Sequence, residues 1–424
     1  MPSSVTSFSE KIDKLIRVFF YILAFWLPYS SAVVESCVII SVALWIIKRI
    51  VIHWPLMRKD KRYLLKAFKP PESVLNRFIY CFLLICLISV AFSSLWQRSL
   101  ADFITKFMEW FAIFWLIQEV FTNRKQIFLL LGILTFTAWA TALDAIGQYH
   151  FLGKDIFNGH PVTEDGRATA SFNAPASLGA FMLTMIPLSL SVLFIGIAKS
   201  VRWAAFVMSG VMVWALMITF TRGAWAGGIA GILFFFIVYF LWKKNFEMKA
   251  SLLVLLFLFL TVFFPLSFNA QSTLNLLKRS NTITWRLEVW ADSWKMIKDR
   301  PLVGHGVNMY APVFQSYRRI PKYAPTYAHN CFVQLAAEVG LLGLAAFMGL
   351  LVKFFQDSFR SLRERYNEQK TLEVISLGTL AGVFAFLVHS SVDTNFYSLR
   401  LSVLFWLLAG VQIKINRLVL QKSK

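Results

Sequence analysis

The stretch Arg202–Trp242, RWAAFVMSGVMVWALMITFTRGAWAGGIAGILFFFIVYFLW, decides how this chain folds. Its charged residues are Arg202 and Arg222, and it is long enough for two passages through a hydrocarbon core that takes about 20 residues each. Around Thr219-Phe-Thr-Arg222-Gly the apolar run breaks just long enough for a tight turn. The segment therefore reads as two helices back to back, 202–220 and 223–242, with Arg222 held at the membrane edge. Similar apolar runs recur on both sides. Further spans are expected at 15–30, 33–52, 76–93, 100–121, 126–148, 173–198, 250–267, 329–354, 372–391 and 400–418. The expected fold is all-α: a polytopic integral membrane protein of about 12 transmembrane helices, with residues 1–424 as a single membrane domain.

Composition agrees. The chain is 58% hydrophobic and 15% charged, against about 25% charged in a soluble domain. The first apolar run follows Lys11, Lys14 and Arg17 and lacks a small-residue cleavage site, so it reads as a span and not as a removable signal. Cys37, Cys81, Cys86 and Cys331 fall in or beside apolar segments and read as small buried residues, without disulfide or metal spacing.

The net charge is +21. In a soluble chain that excess would point to nucleic acid. In a membrane chain most of it is absorbed by the positive-inside rule, and no nucleic-acid partner is expected. With the N-terminus cytoplasmic, the basic runs Lys48 to Arg77, Arg124–Lys125, Lys199 with Arg202, Lys243 to Lys249, Lys353 to Lys370 and the tail from Lys414 share one side. Residues 53–75, with Pro70-Pro71, then form a cytoplasmic linker. The other side receives 149–172 and 392–400, together with 268–328, a long loop expected to contain short helices and part of the active site. That long loop carries Lys278, Arg279, Arg286, Lys295, Lys298, Arg300, Arg318, Arg319 and Lys322 against Glu288, Asp292 and Asp299. Either it is a solvated loop that happens to be basic, or it binds an anion at the membrane boundary, such as a lipid-borne phosphate or pyrophosphate. Within it Trp285, Trp290 and Trp294 recur at helical spacing, as in an amphipathic helix lying on the bilayer.

Five constellations fall on that side. Arg167 precedes Asn173 and Pro175, which suit a helix start with Asn as cap and Pro in the first turn; Arg167 could bind substrate or snorkel to lipid phosphate. Arg222 sits where a turn requires glycine but not arginine, and its guanidinium can offer phosphate a planar fork. Trp285-Arg286 is followed by Arg300-Pro-Leu-Val-Gly304-His-Gly306, where the glycines permit close approach of a ligand. His329-Asn330 stands at a helix start, followed by Gly340 and Gly343. Histidine suits proton acceptance near neutrality. Last, His389 and Asp393 end a span, where they could orient a site, bind sugar hydroxyls or cap the helix. No His, Cys, Asp or Glu grouping with metal-ligand spacing is apparent, so neither metal nor cofactor is expected.

These motifs, taken in order, resemble the O-antigen ligase/polymerase superfamily. The matching stretches are GRATASFNAP at 166–175, TFTRGAWAGG at 219–228, WRLEVWADSWKMIKDRPLVGHG at 285–306, HNCFVQLAAEVGLLG at 329–343 and HSSVDTN at 389–395. The resemblance implies a bacterial inner-membrane GT-C type glycosyltransferase, working on the periplasmic face without nucleotide sugar, metal or ATP. A ligase of this kind moves a glycan from undecaprenyl diphosphate to the lipid A-core with inversion. By the resemblance, Arg222 and Arg286 would bind the donor diphosphate, and His329 would deprotonate or position the acceptor hydroxyl. Arg167, Asn330, Arg300, His389 and Asp393 are the further substrate-binding candidates. A polymerase or a protein O-oligosaccharyltransferase would use the same donor; the latter usually carries a larger C-terminal periplasmic portion, whereas this chain ends soon after its last span. A transporter of lipid-linked glycans is the rival from another class. It would require charge and broken helices at mid-membrane depth.

Overall fold

The computed structural model describes residues 3–60, 63–242, 281–320, 325–364 and 370–421. The expected span 250–267 lies outside them, as do Lys278, Arg279 and Lys322. The described residues are helical and contain no β-sheet, with one isolated bridge pairing Lys154 with Pro161.

In order the helices are α1 (Ser3–Trp26), α2 (Ser31–Met57), α3 (Tyr63–Ala67), α4 (Asn76–Ala91), α5 (Trp96–Asp102), α6 (Met108–Val120), α7 (Arg124–Gly147), α8 (Pro175–Ser191), α9 (Lys199–Met217), α10 (Arg222–Trp242), α11 (Asn281–Asp299), α12 (Tyr310–Phe314), α13 (Cys331–Glu364), α14 (Lys370–Ser390) and α15 (Leu399–Gln421). Eight described helices are long and apolar enough to cross a membrane: α2, α7, α8, α9, α10, α13, α14 and α15. Three further expected spans within the described residues fall short for physical reasons. The apolar run of α4 is 16 residues. The stretch 100–121 is broken by a π-turn at Phe103–Phe107, in the region of Asp102, Lys106 and Glu109, and α1 opens with polar turns well before residue 15.

α15 is the central post, 89% buried, packed by α6, α13 and α14. Trp406, Phe111 and Phe114 are fully enclosed around it. α10 lies against α14 and α8, and small residues set that closeness. A Cβ on Gly227 would stand 3.1 Å from Ala385 O, and one on Gly231 2.5 Å from Ala385 Cβ. In lipid, where apolar association gains little, such close backbone contact is a main source of helix adhesion.

Long-range hydrogen bonds sort the helix ends into two groups. At one end Arg400 Nη1 donates to Pro28 O and Ser171 O, Asn158 to Tyr29 O and Ser93 to His305 O. At the other, Lys48 pairs with Asp13 and Glu119 at 2.6 Å, Arg17 donates to Val120 O and Lys414 to Gln118 O. The first group gathers the C-terminal ends of α1, α4, α7, α9 and α14 and the N-terminal ends of α8, α10, α13 and α15. All eight candidate residues lie at that end.

Candidate functional site

The turn between α9 and α10 is built by threonines. Thr219 Oγ1 donates to Leu216 O and accepts from Thr221 N, while Thr221 O receives the amides of Ala224 and Trp225. Phe220 is forced to φ +47°, and Arg222 is left exposed at the first turn of α10. Arg167 does not reach outward. Its Nε donates to Thr219 O and its Nη2 to Thr221 Oγ1, both at 2.7 Å, and Asp165 stands 3.8 Å away. It braces the turn that presents Arg222. Arg167→Ala is therefore expected to destabilise the protein by about 2 kcal/mol, the scale of losing charged hydrogen bonds, read as a lowered thermal midpoint of the purified full chain. Asn173 does not cap α8: the cap position is Ala174, without a side-chain bond, although Pro175 does open the helix.

His389 closes α14 and is buried. A Cβ on Gly223 would lie 3.4 Å from its ring, so the missing side chain beside Arg222 makes room for the imidazole. His389 Nδ1 is 3.1 Å from Asn395 Oδ1, and Asn395 is pinned to Ser390 Oγ and Phe386 O. His389 Nε2 faces Asp393 Oδ2 at 3.7 Å. The other oxygen, Asp393 Oδ1, accepts from Thr394 N at 2.8 Å and stands 3.5 Å from His329 Nδ1. One carboxylate thus lies between two imidazoles. Burial works to raise the Asp393 carboxyl, but the imidazoles and the Thr394 amide outweigh it and hold it well below the usual carboxylate range.

His329 sits in the left-handed region at φ +49°, an unfavourable conformation for a non-glycine residue that surrounding structure must enforce. On one side Asn330 Oδ1 caps α13, accepting from Phe332 N and Val333 N at 3.0 and 3.1 Å, so this substrate-binding candidate holds the helix start. On the other, Ala328 N donates to Gln334 Oε1 and Ala328 O accepts from Trp290 Nε1. The His329 ring meets Trp285 edge-on, centroids 5.1 Å apart. Trp285 therefore faces the site instead of lying free on a bilayer. Its neighbour Arg286 is close enough to His389 for its charge to act on the imidazole. Arg286 Nε, His329 Nδ1 and His389 Nε2 are buried without hydrogen-bond partners among the described residues. Catalytic contacts of this length are expected to tighten on substrate. Among the described residues no group of three or more His, Cys, Asp or Glu side chains is placed to hold a metal ion.

Arg300 is separate from this cluster. Its Nη1 donates to Phe92 O at 2.8 Å, and the loop after it enters a break in α13. Gly340 has φ +74° and ψ 176°, which frees the carbonyls one turn back. His305 N then donates to Ala337 O, Gly306 N to Glu338 O, and Leu341 N to Pro301 O. The fully buried Glu338 carboxylate accepts from Asn308 N, Tyr310 N, Gln334 Nε2 and Tyr397 Oη. Glu338 was missed as a site-building residue because three of its four partners, the Asn308 and Tyr310 amides and the Tyr397 phenol, are remote in sequence. An acidic residue inside an apolar span was the available signal.

A search of curated proteins finds no match to the chain. Residues 204–348 match the family model described as O-Antigen ligase, a segment that carries Arg222, Arg286, Arg300, His329 and the Gly340 break. Over that stretch, about a third of the chain, the sequence is similar to the family described as O-Antigen ligase.

Proposed function

We propose that this protein is an O-antigen ligase of the bacterial inner membrane. It transfers a glycan from undecaprenyl diphosphate to the lipid A-core at the periplasmic face, without metal and with inversion. The observation that carries the reading is the gathering at one end of the helical bundle of the His329–Asp393–His389 cluster with Arg222, whose neighbour Gly223 lies against the His389 ring, and Arg286, whose neighbour Trp285 meets the His329 ring. The acceptor hydroxyl oxygen attacks the anomeric carbon opposite the diphosphate. The sugar–phosphate bond breaks, and its electron pair leaves on undecaprenyl diphosphate. Arg222 and Arg286 stabilise the charge that develops there, which fixed donors do best. The hydroxyl proton passes to His329 Nε2, because Nδ1 faces Asp393. The ionised Asp393 orients the ring and stabilises the imidazolium that forms. Periplasmic orientation rests on the basic runs of the opposite end.

The test is reconstitution of the purified full chain with undecaprenyl-diphosphate glycan and lipid A-core in the presence of a chelator. Ligated product is expected, and Arg222→Ala should reduce its rate by about 10²- to 10³-fold, the effect of deleting one donor to a developing anion. Absence of transfer by wild type, or full activity in Arg222→Ala, would overturn the reading. Elongation of the donor glycan without core would identify a polymerase instead.

A further inference from the structure

We propose that the cleft between the end of α4 and the loop beginning at Arg300 seats the phosphorylated head of a membrane lipid, with an acyl chain lying along α4. On the ligase reading, which this inference deepens, that lipid is the anchor of the acceptor.

Phe92, Arg300, Pro301, Leu302 and Val303 line a cleft of about 330 Å³. Phe92 and Leu302 are 64% and 60% exposed, so its walls are apolar side chains with little covering them. Leu84, Ile88 and Phe92 are all exposed, and their four-residue spacing puts them on one face. An apolar strip therefore runs up α4 and ends in the cleft. Arg300 stands there, fixed by its bond to Phe92 O. That bond uses one of five guanidinium donors. A fixed fork beside an apolar track matches an amphiphile with an anionic head, and phosphate is the anion whose geometry suits it.

Position gives the second observation. The bond from Leu341 N to Pro301 O ties the cleft to the level of Gly340. His329 stands just before Cys331, at the other end of the first segment of α13. Nine helical residues separate the two levels, about 13 Å of rise. A lipid whose phosphate rests on Arg300 thus has its saccharide, not its head, at the height of His329. The donor diphosphate is left to Arg222 and Arg286.

Native mass spectrometry of the full chain in a phosphate-free maltoside detergent, with lipid A as the probe and no donor present, reads retained lipid directly. Wild type should retain lipid A. Arg300→Gln keeps a donor for Phe92 but removes the charge, and Leu302→Trp fills the cleft; each should weaken retention about tenfold, the scale of one charge-assisted bond. Inorganic phosphate at millimolar level should not displace the lipid. Wild-type retention by Arg300→Gln would overturn the proposal whatever Leu302→Trp does, and full displacement by inorganic phosphate would reduce the cleft to a simple anion site. Because retention is measured without transfer, an inactive protein that still binds lipid A through Arg300 would count against the ligase reading alone.

Discussion

His329→Ala is expected to lower glycan transfer by about 10²- to 10⁴-fold, the usual contribution of a positioned general base, with the protein still folded. The site gives the reason for both halves. The His329 ring faces Trp285 and Asp393, whereas the cap of α13 is made by Asn330, so truncation at 329 leaves the helix start intact. The diphosphate contacts assigned to Arg222 and Arg286 also survive, so the loss should appear in kcat and leave the donor KM largely unchanged. Asp393→Asn distinguishes a base from a simple acceptor contact. The amide keeps the shape between the two imidazoles but cannot stabilise an imidazolium, so transfer should fall even though His329 remains. Transfer within twofold of wild type in His329→Ala, measured in the reconstituted system, would remove the base from the mechanism. A large fall in His329→Ala beside an unaffected Asp393→Asn would leave His329 as a positioning group acting without the carboxylate.

Local chemistry was legible in the sequence where it depends on neighbours in the chain. The Thr219–Gly223 turn, the helix start at His329-Asn330 and the Pro175 entry are short-range features, and each is found where the spacing places it. Alternate threading of the expected spans sends Arg222, Arg286, His329, His389 and Asp393 to one end, but it does not say which of them pack together. What spacing could not reveal was which polar groups are used by the fold itself. Arg167 is held by Thr219 and Thr221, and a sequence gives no sign that an arginine's donors meet a turn 52 residues onward. The break in α13 is the larger omission. Gly340 within an apolar run is compatible with an unbroken helix, and only the remote loop 300–308 explains the departure. A broken helix with a buried carboxylate is also what a transporter would display. Here the break is filled by protein backbone and Glu338 is bonded to two amides, an amide side chain and a phenol. No open binding position remains on that carboxylate, so the feature supports an interlock in preference to a translocation site.

Gly340→Ala should be among the most damaging single changes in the described residues. Alanine at φ +74° is strained in any surroundings, and its Cβ would stand 2.2 Å from Leu302 O. The obstruction is backbone, so rotamer changes cannot relieve it, and the 300–308 loop would have to withdraw. Withdrawal would break the bonds of His305 N, Gly306 N and Leu341 N and strip Glu338 of the Asn308 and Tyr310 amides. Each buried polar group left unpaired costs about 1–3 kcal/mol, so the total exceeds the roughly 4–5 kcal/mol that marks exceptional substitutions. The expected result is loss of monodisperse protein in gel filtration. Gly349→Ala is the control within the same helix. Its Cβ would meet Phe78 at an ordinary 3.5 Å, and alanine is favoured over glycine in a helix by about 1 kcal/mol, so wild-type yield should persist. Gly304→Ala supplies the reciprocal test, since its Cβ would meet the Glu338 carbonyl at 2.4 Å from the other side. If both substitutions open one interlock, their costs should fall well short of adding. Wild-type yield and thermal midpoint in Gly340→Ala would show that the loop is not seated in the break, and with it would go the difference in height between the Arg300 loop and His329, about nine residues or roughly 13 Å of helix rise.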